Sequence, residues 1–190
     1  MTARLILASA SPRRRELLAQ IGVIPDAVVA TDIDETPLRD EAPRLAVLRL
    51  ARAKGEAAAD PLAYVLSADT IVAVGRRILP KAETVEQARA CLDLLSGRRH
   101  HVLTAVVLAA PGGRKAERVC DTEMAFLRLT EQQKQAYLDG GEWRDKAGGY
   151  AIQGFAASFA RFLSGSYSGV VGLPLFETAQ LLRGMGYLRP

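Results

Sequence analysis

Two long strand-like runs, from Val102 to Ala109 and from Val119 to Leu129, meet at Pro111-Gly112-Gly113. Glycines in that position supply the backbone freedom of a tight reversal, so the runs predict a hairpin. A hairpin in turn excludes a purely parallel sheet. Upstream, strands and helices alternate. Arg4-Leu5-Ile6-Leu7-Ala8 reads as a short buried strand. Ser11-Pro12 opens a helix that buries Leu17, Leu18 and Ile21 and stops at Gly22. Ala27 to Thr31 is a second strand, and Pro43 to about Asp60 a second helix. Tyr64 to Ser67 and Ile71 to Val74 are strand-like on either side of Ala68-Asp69-Thr70, and Gly75-Arg76-Arg77 turns the chain back to Ile78-Leu79. Thr84-x-x-Gln87 and Thr130-x-x-Gln133 both have the form of a capping box. Glu142 to Gly154 reads as loop and short strand, Phe159 to Leu163 and Val170-Val171 as further strands, and Pro174 to Met185 as the last helix. The pattern predicts a mixed α/β or α+β fold, a central mixed sheet flanked by helices. The 190 residues fit one domain, taken as 1–190.

Composition narrows the functional classes. Only 6% of residues are aromatic, so the core must rest on Leu, Val, Ile and Ala. No apolar run approaches the roughly 20 residues that span a bilayer. The run Leu5 to Ala8 is too short for the core of a signal peptide, which predicts a cytoplasmic protein with no membrane partner. Cys91 and Cys120 lack metal-ligand spacing and read as reduced thiols. A net charge of +4, with arginines in short clusters beside carboxylates, fits a small anionic ligand better than a nucleic-acid duplex.

The loop Ser9-Ala10-Ser11-Pro12-Arg13-Arg14 breaks a local rule. Arg13 and Arg14 would occupy the first turn of a helix, where cations oppose the helix dipole. A bound anion would reverse that cost, since amides and guanidinium groups there both attract negative charge. Spacing alone leaves two readings open, an anion site or solvated arginines partly offset by Glu16. Asp69, beside a short apolar strand, is placed as a metal ligand or base, or equally as an acceptor within a turn. Glu35, in an acidic stretch, is the carboxylate that could join it around Mg²⁺ or Mn²⁺. Lys54, on the helix following the acidic stretch, and Lys81, just after Ile78-Leu79-Pro80, are the basic residues that join the candidate site, although most lysines are simply exposed. Other chemistries lack support. His100-His101 has no zinc-site context, and Gly165-Ser166-Tyr167-Ser168-Gly169 carries Tyr where a nucleophile elbow needs Ser. There is no Walker A loop and no dinucleotide fingerprint.

Five ordered blocks then carry a resemblance: Leu7 to Leu18, Ser67 to Val72, Leu95-Ser96-Gly97-Arg98 through Val106, Asp145 to Gly154, and Gly165 to Leu175. Together they are similar to the Maf family of nucleotide pyrophosphatases over nearly the whole chain. The resemblance implies hydrolysis of a nucleoside triphosphate to the monophosphate and pyrophosphate with a divalent cation, Mg²⁺, Mn²⁺ or Co²⁺. It implies a sheet related to that of the inosine triphosphatases, a cleft between two lobes, and a homodimer. It would make Asp69 the general base, Glu35 a partner in holding the metal, and Ser9, Arg13, Arg14, Lys54 and Lys81 the phosphate grip. Arg13, Thr70 and Gln153 resemble the branch acting on dTTP and UTP. Gln153 offers one donor and one acceptor to the imide edge of uracil or thymine. Ala82 and Gly169 depart from the family's usual Pro and Asn. Two other readings remain beside this one: a 7-methyl-GTP pyrophosphatase of the same family, and a non-catalytic nucleotide- or nucleic-acid-binding regulator of cell division, since the family is linked with inhibition of septum formation.

Overall fold

The computed structural model describes residues 4–188. Its first half is parallel. Strand β1 (Leu5–Ala8), buried at all four residues, pairs with β2 (Ala27–Val29) on one side and β3 (Tyr64–Val74) on the other. Helices α1 (Pro12–Gln20) and α2 (Pro43–Ala57) form the connections, and each begins with a proline. Its fixed φ and missing N–H suit the first helical turn. The second half is antiparallel. Strand β4 (Arg77–Leu79) folds back on β3, β5 (Arg99–Ala109) and β6 (Lys115–Phe126) make the hairpin, and β7 (Ala160–Ser164) lines the far edge. The strand order is β2-β1-β3-β5-β6-β7, with β4 on β3, so the mixed sheet with flanking helices is as the sequence predicts. Helices α3 (Val85–Leu95) and α4 (Glu131–Gly140) start in the two capping boxes, both fully formed. A short α5 (Tyr167–Val171) and α6 (Leu175–Gly184) follow β7.

Two expectations change. Val170-Val171 is not a strand but the end of α5, because Ser166 Oγ accepts the Gly169 N–H and Val170 N–H bonds to Ser166 O. Local capping outweighs the strand preference of a Val pair. Ala68-Asp69-Thr70 does not separate two strands either. β3 runs through it, with Asp69 opposite Ala105 and Thr70 opposite Thr104.

That continuity creates the site. On one edge β3 is covered by β5 along most of its length. On the other edge β1 covers it only as far as Ser67, and β4 resumes at Val72. Residues 68–71 therefore form a notch in the sheet. Successive side chains on a strand point to opposite faces, so Asp69 faces α2 and Thr70 the reverse side. On Thr70's face two apolar cores lie end to end. One packs Leu66, Ala68, Val106 and Leu108 against α1 and α6, and the other packs Val72, Val102, Met124 and Phe126 against α3 and α4. The polar pair Thr70 and Thr104, 3.0 Å apart, marks the seam between them.

Candidate active site

The notch opens into a cleft of about 670 Å³ lined by Ser9, Arg13, Arg14, Glu35, Lys54, Asp69, Thr70, Lys81 and Gln153, every site residue singled out in the sequence. Helix α1 contributes Arg13 and Arg14, β3 contributes Asp69 and Thr70, α2 contributes Lys54, and the remaining residues come from loops.

Asp69 is 3% exposed, and its Oδ1 accepts a hydrogen bond from Lys54 Nζ at 2.5 Å. Lys54 itself is 7% exposed, on α2. The helix reaches the strand closely because Gly55 has no side chain: a Cβ there would lie 2.8 Å from Ser67 Oγ. Ser67 Oγ also donates to Ala51 O at 2.7 Å, which fastens α2 over the notch. Breaking a buried ion pair costs about 3–5 kcal/mol when the other charge is left uncompensated; here Lys54 has a second carboxylate partner in Glu35. Among the described residues Asp69 Oδ2 accepts no hydrogen bond, and the carboxylate lines the cleft.

Lys54 also reaches Glu35 Oε1 at 2.7 Å, and Glu35 Oε2 is ion-paired with Lys81. Burial alone would raise the Glu35 carboxyl, but the hydrogen bonds and charges of Lys54 and Lys81 outweigh it and hold it below the usual carboxylate range. Lys81 is placed by a zipper between its loop and residues 145–148. Ala82 N–H bonds to Lys146 O, Asp145 N–H to Ala82 O, Gly148 N–H to Pro80 O, and Lys81 bridges Ala147. Ala82 is fully buried and donates one of these bonds, which a proline there could not do.

The N-terminal loop departs from expectation in its details. Ser11 sits at the N-cap of α1, but its side chain makes no capping bond. Ser9 Oγ instead accepts the Ser11 N–H at 3.2 Å and Arg14 Nη1 at 2.9 Å. Arg14 is buried, and its Nε donates to Gly172 O at 2.8 Å while Nη2 reaches Thr70 Oγ1 at 3.4 Å. Burial lowers its pKa, against which the charge of Asp69 acts. From Arg14 a directed chain continues: Thr104 donates to Gly169 O at 2.8 Å, so Thr70 must donate to Thr104 and accept from Arg14. Gly169 is close-packed there, since a Cβ would meet Ser166 Cβ at 3.1 Å. Arg13, by contrast, is half-buried in the cleft wall, and desolvation lowers its pKa although Glu16 opposes this. Gln153 is exposed at the cleft mouth beside Ile152.

The cleft contains residues that the sequence reading passed over. Val72, Val102, Tyr150, Ile152, Val170 and Val171 form an apolar wall, and Asp145 and Lys146 add charge. Asp145 holds φ at 56°, a left-handed conformation uncommon for a non-glycine residue. Behind the wall His100 is fully buried, its Nε2 2.9 Å from Tyr150 Oη. Cys91 and Cys120 are unpaired thiols, as read. Among the described residues no group of three or more His, Cys, Asp or Glu could hold a metal, and no helix is long and apolar enough to cross a membrane.

Comparison with known proteins places these features in context. The family model described as Maf-like protein matches residues 4–185. A dTTP/UTP pyrophosphatase of Granulibacter bethesdensis is 61% identical, over 96% of this chain and 93% of its own length. One of Caulobacter vibrioides is 59% identical, over 96% of both. Among solved structures, the Ham1 protein of Staphylococcus aureus overlaps 65% of this chain and 71% of its own, at 19% identity and a TM-score of 0.46.

Proposed function

The chain belongs to the family of Maf-like proteins, and on that premise we propose that it hydrolyses dTTP and UTP to the nucleoside monophosphate and pyrophosphate. The observation that carries the reading is Asp69. It is a buried carboxylate paired with Lys54 through Oδ1, and it lines the cleft that also holds Arg13, Lys81 and Gln153.

In this reading Asp69 is the general base. Oδ2 takes a proton from water as the water oxygen attacks the α-phosphorus. The bond to the α–β bridging oxygen then breaks, and pyrophosphate leaves with that oxygen. Arg13, Lys81 and the Ser9 loop neutralise phosphate charge, which is where most catalysis of phosphoryl transfer resides. Arg14 acts through other groups: it orients Ser9 and Thr70 and ties the α1 loop to Gly172. Gln153 reads the imide edge of the base, and the apolar wall accepts its ring.

The donor set fits a divalent cation. Asp69 and Glu35 converge on one ammonium, and two carboxylates completed by water and phosphate oxygens suit a hard ion. Mg²⁺, Mn²⁺ or Co²⁺ held there would add charge neutralisation at the phosphates. The same reading takes residues 1–190 as one domain, a homodimer as the assembly and the cytoplasm as the setting.

Asp69→Asn tests the assignment. Turnover of dTTP should fall by about 10²–10⁴, the usual contribution of a general base, with the fold retained. An Asp69→Asn protein as active as the parent would remove Asp69 from that role.

A further inference from the structure

We propose that Lys146 is a further substrate-binding residue, its ammonium taking a phosphate oxygen in the cleft it lines together with Arg13. The inference rests on the nucleotide reading above.

Five cations line the cleft, and the structure sorts them. Lys54 is ion-paired with Asp69 and Glu35, and Lys81 with Glu35. Arg14 gives its donors to Gly172 O, Ser9 Oγ and Thr70 Oγ1. Arg13 and Lys146 are left without an ion-pair partner among the described residues. Burial disfavours the charged form of Lys146, and the charge of Arg13 adds to that, while Asp145 and Glu142 act the other way. Two partly desolvated cations that repel one another become mutually favourable once an anion sits between them.

Lys146 is not a loosely tethered surface lysine. Its carbonyl accepts the N–H groups of Ala82 at 3.2 Å and Gly149 at 2.9 Å, and the preceding Asp145 is held at φ 56°. The backbone is thus zipped to the loop that carries Lys81. Among the described residues the ammonium makes one hydrogen bond, to Arg144 O at 3.0 Å. Two of its three donors remain for a ligand.

The test is binding of hydrolysis-resistant α,β-methylene-UTP to the parent protein and to Lys146→Gln, Lys146→Met and Lys146→Arg, titrated at several salt concentrations. Met keeps a packed stem without the charge. The expected result is affinity about tenfold weaker for Gln and Met, the scale of one charge-assisted hydrogen bond, with a shallower salt dependence and recovery in Arg. If Gln or Met binds within twofold of the parent with the same salt dependence, the proposal is overturned. Loss in all three variants alike, with lowered melting temperatures, also overturns it, in favour of a structural lysine. A parent that binds the analogue but releases no pyrophosphate from UTP or dTTP defeats the hydrolase reading alone. A parent that binds no analogue defeats both.

Discussion

Arg13 and Arg14 are consecutive residues with different work. Arg14 turns inward and joins the N-terminal loop to β3 and to Gly172, while Arg13 stays in the cleft wall without an ion pair among the described residues. Sequence reading places both at a phosphate site because it sees charge at a helix start; it cannot see which guanidinium the protein itself satisfies. Lys146 escapes it for the converse reason, sitting in a polar, glycine-bearing stretch that reads as solvated loop. His100 is a residue that sequence leaves without a role and structure explains. It is buried against Phe126 and Tyr150, with Nδ1 unpartnered among the described residues, and burial pushes its pKa down to about 4 from 6.5. Above pH 6.5 it is neutral folded or unfolded. As pH falls from 6.5 towards 4 the unfolded chain takes the proton first, so stability is lost across that window, by about 3 kcal/mol at its lower end. Urea unfolding of the parent and of His100→Gln should therefore diverge in pH dependence between 6.5 and 4, the variant losing less. Parallel curves would contradict the account.

At the scale of elements, the contact between α2 and β3 does most to build the site. Gly55 lowers the helix propensity of α2, yet it lets Ser67 Oγ approach and brings Lys54 onto Asp69. Gly55→Ala should gain up to about 1 kcal/mol of helix propensity and lose more, about 1–3 kcal/mol, to overpacking against Ser67. Melting temperature and turnover of dTTP should both fall, and Ser67→Ala in the same chain should recover part of each. A Gly55→Ala protein at full stability and rate would show that the close approach is dispensable. Elements with local signals were legible from sequence: the capping boxes, the prolines at helix starts and the hairpin glycines all lie where they predict. The notch was not, because Ser67, Asp69 and Thr70 interrupt an apolar run and mimic a turn. What keeps them in a strand is pairing with β5, a contact between residues distant in the chain.

For the whole molecule, the notch explains how one ligand can meet both faces of a sheet. Asp69 and Lys54 lie on the α2 side, while Thr70 and the Arg14 network lie on the other, at the seam of two apolar cores. A nucleoside triphosphate seated there would set its phosphates against the N-terminal loop and Lys81, with its base towards Gln153. The direct test is pyrophosphate release from a panel of dTTP, UTP, CTP, GTP and 7-methyl-GTP by the parent protein with Mg²⁺ or Mn²⁺. The account predicts release from dTTP and UTP well above the other three. Preference for 7-methyl-GTP, or release from none of the five, would contradict it.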